Sequence, residues 1–243
     1  MVADIPMSQT TPSHIQAEWR LIHDENLTLI KRRVFIDRLS LSNDPNVIQN
    51  FIKMYSETKI PEIKHKLIQG TMIYYQHHRN EIKVNGDEIA LKNFYSKLLY
   101  SSLTSHEASV VVRSFADLQS PEDVLSNHKQ IDKQLIGIEL SSLVGLKLEI
   151  AMKSPALEKI YIPSVISLLK DNKNGSDLDS MFFIIMKSAF KHLKDPSFRA
   201  EVESYLDYIA PKYSTDITWK SDDPHFMFAK KYFYELKKIS KSK

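Results

Sequence analysis

Hydrophobic residues return every three or four positions along most of the chain, which is the spacing of one face of an α-helix. Two early examples are the sets Leu27, Ile30, Val34, Leu41 and Val47, Phe51, Met54, Tyr55. The pattern predicts helices at 12–24, 25–39, 45–55, 61–78, 88–103, 105–118, 121–127, 130–152, 155–169, 177–193, 197–210 and 225–239. The whole chain is therefore predicted to be helical.

Seven of the ten prolines stand where one of these helices is expected to begin. An oxygen-bearing side chain before proline is typical of an N-cap followed by the first helical residue. The pairs are Thr11-Pro12, Asp44-Pro45, Ser120-Pro121, Ser154-Pro155, Asp195-Pro196 and Asp223-Pro224, and Ile60-Pro61 extends the series. Segment 84–87, with Gly86, predicts a hinge between helical hairpins, and 172–175 predicts a turn within one.

Consecutive helix pairs begin near 12, 44, 87, 121, 155 and 196, at intervals of roughly 30–45 residues, the size of a helical repeat. The predicted helix 130–152 is apolar around most of its circumference, as expected of a central helix. Gly137, Ser141 and Gly145 recur along it and predict a small-residue stripe for close helix packing.

Segment 162–171, where Pro163 is expected to bend the first helix, is followed by a second predicted helix from 178, and the two together resemble a HEAT or armadillo repeat. Segment 47–78 resembles the same unit, with Phe51 in its first helix, Lys64 near the start of its second and Gly70 at a small-residue position. The resemblance implies an all-α fold, an irregular right-handed stack of helical hairpins. A compact multi-helix domain is the alternative. We expect a flexible segment at 1–11, a single helical-repeat domain at 12–239 and a basic tail at 240–243.

The amino-acid composition agrees with an all-α fold, and the sequence also bears on the location of the protein in the cell. Only five glycines occur in 243 residues, fewer than strands joined by tight turns normally need. The absence of cysteine excludes disulfides, cysteine nucleophiles and thiolate metal sites. The first residues lack a Sec-type signal pattern and no long uncharged apolar segment occurs, so we expect a cytoplasmic protein without a membrane span. Export by a non-Sec route is the alternative.

No motif in the sequence identifies a reaction. The nine histidines show no metal-ligand spacing, and the neighbours His77 and His78 point about 100° apart on a helix. Acidic pairs fall at predicted helix starts, where they suit the helix dipole, and the glycines are isolated rather than grouped in a phosphate-binding loop. We therefore assign no catalytic, cofactor-binding or metal-binding residues and expect no cofactor.

Two kinds of surface feature are candidate binding sites. Basic residues occupy one side of the last predicted helix, where they could bind a partner or cap a repeat array: Lys230, Lys231, Lys237 and Lys238. A second basic patch is predicted at Lys31, Arg32 and Arg33. Tyr75 and Tyr234 each belong to a run of aromatic residues that cannot all face one core, so we expect both at the surface as partner anchors.

Stacked hairpins present a long surface without requiring a catalytic pocket. We therefore expect a non-catalytic adaptor or scaffold subunit of a larger assembly that binds a protein partner. The alternative is a nucleic-acid-binding helical-repeat protein, and further alternatives are a secreted effector or an unfamiliar all-α enzyme. Low glycine and frequent Lys, Ile, Asn and Ser are typical of an AT-rich bacterial genome.

Overall fold

The computed structural model describes residues 12–171 and positions 195, 196, 200, 204 and 238. Every regular element among them is an α-helix, so the all-α prediction is confirmed. The helices are α1 Pro12–His23, α2 Leu29–Ser40, α3 Val47–Glu57, α4 Pro61–His77, α5 Arg79–Asn85, α6 Asp87–Leu99, α7 Ser105–Leu118, α8 Pro121–Ser126, α9 His128–Gln134, α10 Leu140–Ala151 and α11 Pro155–Asp171. No helix in this part of the chain is both long and apolar enough to cross a membrane.

Four helices begin at a proline as predicted, namely at Pro12, Pro61, Pro121 and Pro155. The prediction for Pro45 is wrong, because α3 begins at Val47. Asp44 instead closes a local turn, since its Oδ1 accepts the backbone N–H of Asn46 at 3.0 Å. Pro224 lies outside the described residues.

The predicted helix 130–152 is interrupted, which is the largest departure from the expected elements. α9 ends at Gln134, Gly137 adopts a left-handed conformation with φ 81°, and α10 begins at Leu140. Glu139 starts the new helix by accepting the backbone N–H groups of Ser141 and Ser142 at 3.1 and 3.3 Å. Because Gly137 is not helical, the predicted small-residue stripe does not form.

The described residues form two compact units. The first contains α1–α7 and α9, and the second contains α8, α10 and α11. The prediction of one domain over 12–239, like those for 1–11 and 240–243, includes residues outside the described part and stays a prediction.

In the first unit, neighbouring helices pair as α1 with α2, α3 with α4, and α6 with α7. α4 also packs against α2 and α7, and α3 packs against α6. The core includes Ile36, Leu39, Val47, Ile48, Phe51, Ile63, Leu67, Ile68, Leu91, Val111 and Val112. Tyr95 is fully buried, and its hydroxyl donates a hydrogen bond to the carbonyl oxygen of Ile68 at 2.7 Å.

In the second unit, α10 pairs with α11, and α8 packs against α11. The buried side chains of the unit include Val124, Val144, Ile150, Leu157, Tyr161, Ile162 and Val165. Lys147 is also buried, where its ammonium donates to Ser164 Oγ at 3.0 Å and lies 5.2 Å from the centroid of the Tyr161 ring. α11 continues through Pro163.

Candidate partner-binding surface

α2 carries apolar residues on two faces. The helix begins after Thr28, whose hydroxyl accepts the backbone N–H of Lys31 at 3.4 Å, as an N-cap does. Ile36 and Leu39 lie on the inner face, fully buried where α2 packs against α1 and α4. A second set of apolar residues lies on the opposite side of the helix, which faces solvent.

That outer row consists of Ile30, Val34 and Leu41, and we call it the α2 stripe. Their side chains are 74%, 47% and 37% exposed. At 100° per residue, Ile30 and Val34 lie about 40° apart on successive turns of α2, and Leu41 follows directly after the last helical residue, Ser40. Asp37 lies on the same line between Val34 and Leu41, where it is paired with Lys66. Scattered surface hydrophobics are ordinary, but aligned ones form an apolar contact surface, here interrupted by one ion-paired carboxylate.

Lys31 and Arg33 flank the stripe on opposite sides, each about 60° around the helix from its nearest stripe residue. Both side chains are exposed, and neither makes an ion pair in the part of the chain that the structure describes. Both cations are therefore available to a binding partner.

Two further charged residues of α2, Asp37 and Arg38, form ion pairs within the protein. Arg38 Nε lies 3.0 Å from Glu18 Oε1, and Asp37 Oδ1 lies 2.6 Å from Lys66 Nζ. These pairs largely cancel, so the uncompensated charge beside the stripe is positive.

The predicted basic patch is not one surface, because Arg32 points inward. Arg32 is 8% exposed, and its Nε donates to the carbonyl oxygen of Ile22 at 2.5 Å. The guanidinium thereby ties α2 to the end of α1. Three successive helical residues point in three directions, so only Lys31 and Arg33 reach solvent.

Two histidines meet where the N-terminal parts of α4 and α7 come together. The ring centroids of His65 and His106 are 4.3 Å apart, and Nδ1 of His65 is buried without a hydrogen-bond partner. Burial, followed by the proximity of His106, lowers the pKa of His65 below its ordinary value. No group of three or more metal-ligating side chains occurs among the described residues.

The expectation that Tyr75 lies at the surface is wrong. Tyr75 is 5% exposed and its ring lies 5.8 Å from the guanidinium carbon of Arg79. α4 contacts α2, α3 and α7, so several of its faces are covered and the adjacent Tyr74 is buried as well. Tyr75 therefore presents no ring to a partner.

The remaining candidate residues are at the far end of the chain. Lys238 is helical and exposed. Tyr234, Lys230, Lys231 and Lys237 lie outside the described residues.

In the sequence, the spacing of Ile30, Val34 and Leu41 predicted a helix but did not predict that these residues form an exposed binding surface. Two apolar rows on one 12-residue helix were the available signal, since a helix at the surface of a domain needs only one. Periodicity does not identify which row is buried. That depends on the neighbouring helices.

A cleft of about 160 Å³ between α1 and α3 has the titratable side chains of His23, Lys53 and Glu57 in its lining. Lys53 and Glu57 are 3.9 Å apart, and their side chains are 71% and 54% exposed. Water screens charges in such a position, so this cleft offers little of the electrostatic stabilisation on which catalysis depends.

Comparison with known protein families, characterised proteins and solved structures finds no match for this chain.

Proposed function

We propose that this protein is a non-catalytic adaptor or scaffold subunit, and that the α2 stripe is a surface on which it binds a protein partner. The observation that carries the proposal is the exposure of Ile30 and Val34 along one line of α2, and of Leu41 just beyond its end, while the other face of the helix is fully packed. Covering such a row releases the water that surrounds it, which favours association.

A HEAT- or armadillo-like stack of hairpins is part of the same proposal. The order of contacts supports it, because three hairpins follow one another along residues 12–118 in the first unit. Between hairpins, α2 meets α4, α4 meets α7, and α3 meets α6, so equivalent helices are neighbours. Gly70 occupies a small-residue position of the repeat resemblance.

The nucleic-acid alternative is less well supported by the geometry. A phosphate backbone is bound mainly by clustered cations, and the burial of Arg32 leaves two exposed cations separated by an apolar row. An apolar centre with a polar rim is instead typical of protein interfaces.

The absence of cysteine from the 243 residues allows a direct test in this chain. A single cysteine is introduced by Val34→Cys, and in a control by Ile89→Cys, since Ile89 of α6 is 66% exposed and outside the stripe. Each variant is coupled to a photo-crosslinker, irradiated in native lysate and purified with and without nuclease. The cross-linked species are then identified by mass spectrometry.

We expect a defined protein cross-linked at position 34, insensitive to nuclease, and absent at position 89. Added Val34→Asp protein, in which the apolar row is disrupted, should not compete for this cross-linked partner. Cross-links only to nucleic acid, or the same proteins at both positions, would contradict the proposal.

A further inference from the structure

We infer that the segment bound by the α2 stripe is an amphipathic helix with acidic residues beside its apolar face. This inference rests on the proposed function and adds the chemistry of the partner. It is argued from the shape of the stripe and from the charges on either side of it.

The shape of the stripe suits a helix. Ile30 and Val34 are one turn apart on α2, and Leu41 lies just beyond its end, so the exposed row is narrow and elongated. A partner helix with apolar residues at positions i, i+3, i+4 and i+7 presents a row of similar shape. Helices pack when the side-chain ridges of one fit the grooves of the other.

The charge of the partner follows from the flanks. Lys31 and Arg33 stand on the two sides of the stripe without ion pairs in the described part of the chain. The nearby Asp37 already holds Lys66 at 2.6 Å, so it offers little repulsion to an approaching carboxylate. A helix with Glu or Asp on both sides of its apolar face would therefore place a carboxylate near each cation.

An anionic lipid surface would also be attracted to apolar and basic groups, but it suits this geometry less well. A membrane-bound helix buries a broad apolar face in the bilayer interface. Here the exposed row is narrow, Asp37 lies on its line in an ion pair with Lys66, and Arg38 lies beside it in an ion pair with Glu18. We therefore assign the stripe to a peptide, and the membrane becomes one outcome of the test.

The test is a selection of displayed helical peptides against the 243-residue chain. The library holds peptides of about 18 residues with Leu fixed at the apolar positions. Each flanking position varies among Glu, Lys and Gln. Clones are selected on the unmodified chain and counter-selected on Val34→Asp, while Ile89→Asp serves as the matched control. Circular dichroism establishes that both variants are folded.

We expect selection to enrich Glu at the flanking positions. An enriched Glu peptide should bind about three- to tenfold more weakly to the double variant Lys31→Glu, Arg33→Glu, and binding to Ile89→Asp should be unchanged. The corresponding Lys peptide should bind the double variant more tightly than it binds the unmodified chain. Added salt should weaken the interaction of the Glu peptide with the unmodified chain.

Three results would overturn the inference. Enrichment of Lys or Gln, in clones that still fail to bind Val34→Asp, would contradict the acidic partner while leaving the proposed function intact. If every clone bound the unmodified chain and Val34→Asp equally, the stripe would not be a peptide-binding surface and both proposals would fail. The chain could also sediment with phosphatidylserine vesicles, with Val34→Asp abolishing this binding and no enrichment of Glu peptides. That result would assign the stripe to a membrane.

Discussion

Three successive basic residues illustrate how much one position changes the role of a side chain. Lys31 and Arg33 reach solvent, whereas Arg32 between them is 8% exposed and donates from Nε to the carbonyl oxygen of Ile22. The buried guanidinium satisfies a backbone acceptor near the end of α1, and its aliphatic part packs in the core. The middle residue therefore stabilises the fold, and its two neighbours remain available for binding.

Gly70 is required where α4 approaches α2 and α3. A Cβ added there would lie 2.7 Å from Ser40 Oγ and 2.8 Å from Phe51 Cε2, closer than side chains tolerate. Because the Phe51 ring is fully buried, it has little room to move. We expect Gly70→Ala to lower the free energy of unfolding by about 1–3 kcal/mol, measured by urea denaturation.

The matched control is Gln76→Ala on the exposed side of the same helix, which should leave the free energy of unfolding nearly unchanged. A Gly70→Ala protein as stable as the unmodified chain would show that α4 does not approach α2 and α3 this closely.

His65 should make stability depend on pH. Burial and His106 lower its folded pKa below the unfolded value of 6.5, so the unfolded chain binds the proton more readily. Stability is therefore expected to fall as the pH decreases from about 6.5 toward the lower folded pKa. In thermal melts between about pH 7.5 and about pH 5.5, His65→Gln should lose less stability than the unmodified chain.

His77→Gln is the control, because His77 lies on the same helix with its side chain exposed. It should keep the pH dependence of the unmodified chain. An identical fall in melting temperature for the unmodified chain and His65→Gln would exclude His65 as a source of the effect.

At the scale of elements, α2 shows why periodicity alone does not locate the core. Ile36 and Leu39 face inward, and Ile30, Val34 and Leu41 repeat with the same period on the outside. Both rows predict the same helix. Contact with α1 and α4 decides which row is buried.

The two rows should respond differently to a charged substitution. Val34→Asp places the carboxylate in water, so we expect the free energy of unfolding to change by no more than about 0.5 kcal/mol. Ile36→Asp buries it without a partner and should cost more than about 3 kcal/mol. Urea denaturation of both variants measures the difference. Equal, large losses would mean that the protein itself covers the stripe.

The break between α9 and α10 also shows that a local residue pattern can fit more than one structure. Apolar residues continue across 130–152, but Gly137 takes φ 81° and Glu139 caps a new helix. A glycine within a helical pattern fits either a close packing contact or a left-handed turn. Here the turn separates α9, in the first unit, from α10, in the second.

At the scale of the molecule, the first compact unit contains a core of its own. Its helices α1–α7 and α9 enclose fully buried side chains such as Ile48, Phe51 and Leu91. We therefore expect a fragment of residues 1–136 to fold cooperatively, as a single urea transition with helical circular dichroism.

A shorter fragment, 1–120, is the comparison, because it lacks α9. Gln130 and Gln134 of α9 each donate from Nε2 to the carbonyl oxygen of Leu99, at 2.7 and 2.6 Å, and Ile131 is fully buried. The shorter fragment should unfold at lower urea concentration. A non-cooperative transition for 1–136 would contradict the independence of the unit.

The sequence by itself determined the fold class, most helix starts and the absence of cysteine chemistry, because helical periodicity and proline N1 positions are local properties. Only the tertiary structure decided that Tyr75 and Arg32 are buried, that the helix 130–152 divides at Gly137, and that Ile30, Val34 and Leu41 face solvent. The burial of Tyr75 and Arg32 and the exposure of the α2 stripe depend on which neighbouring helix covers a given face. That depends on contacts between residues far apart in the chain, and local residue patterns do not specify it.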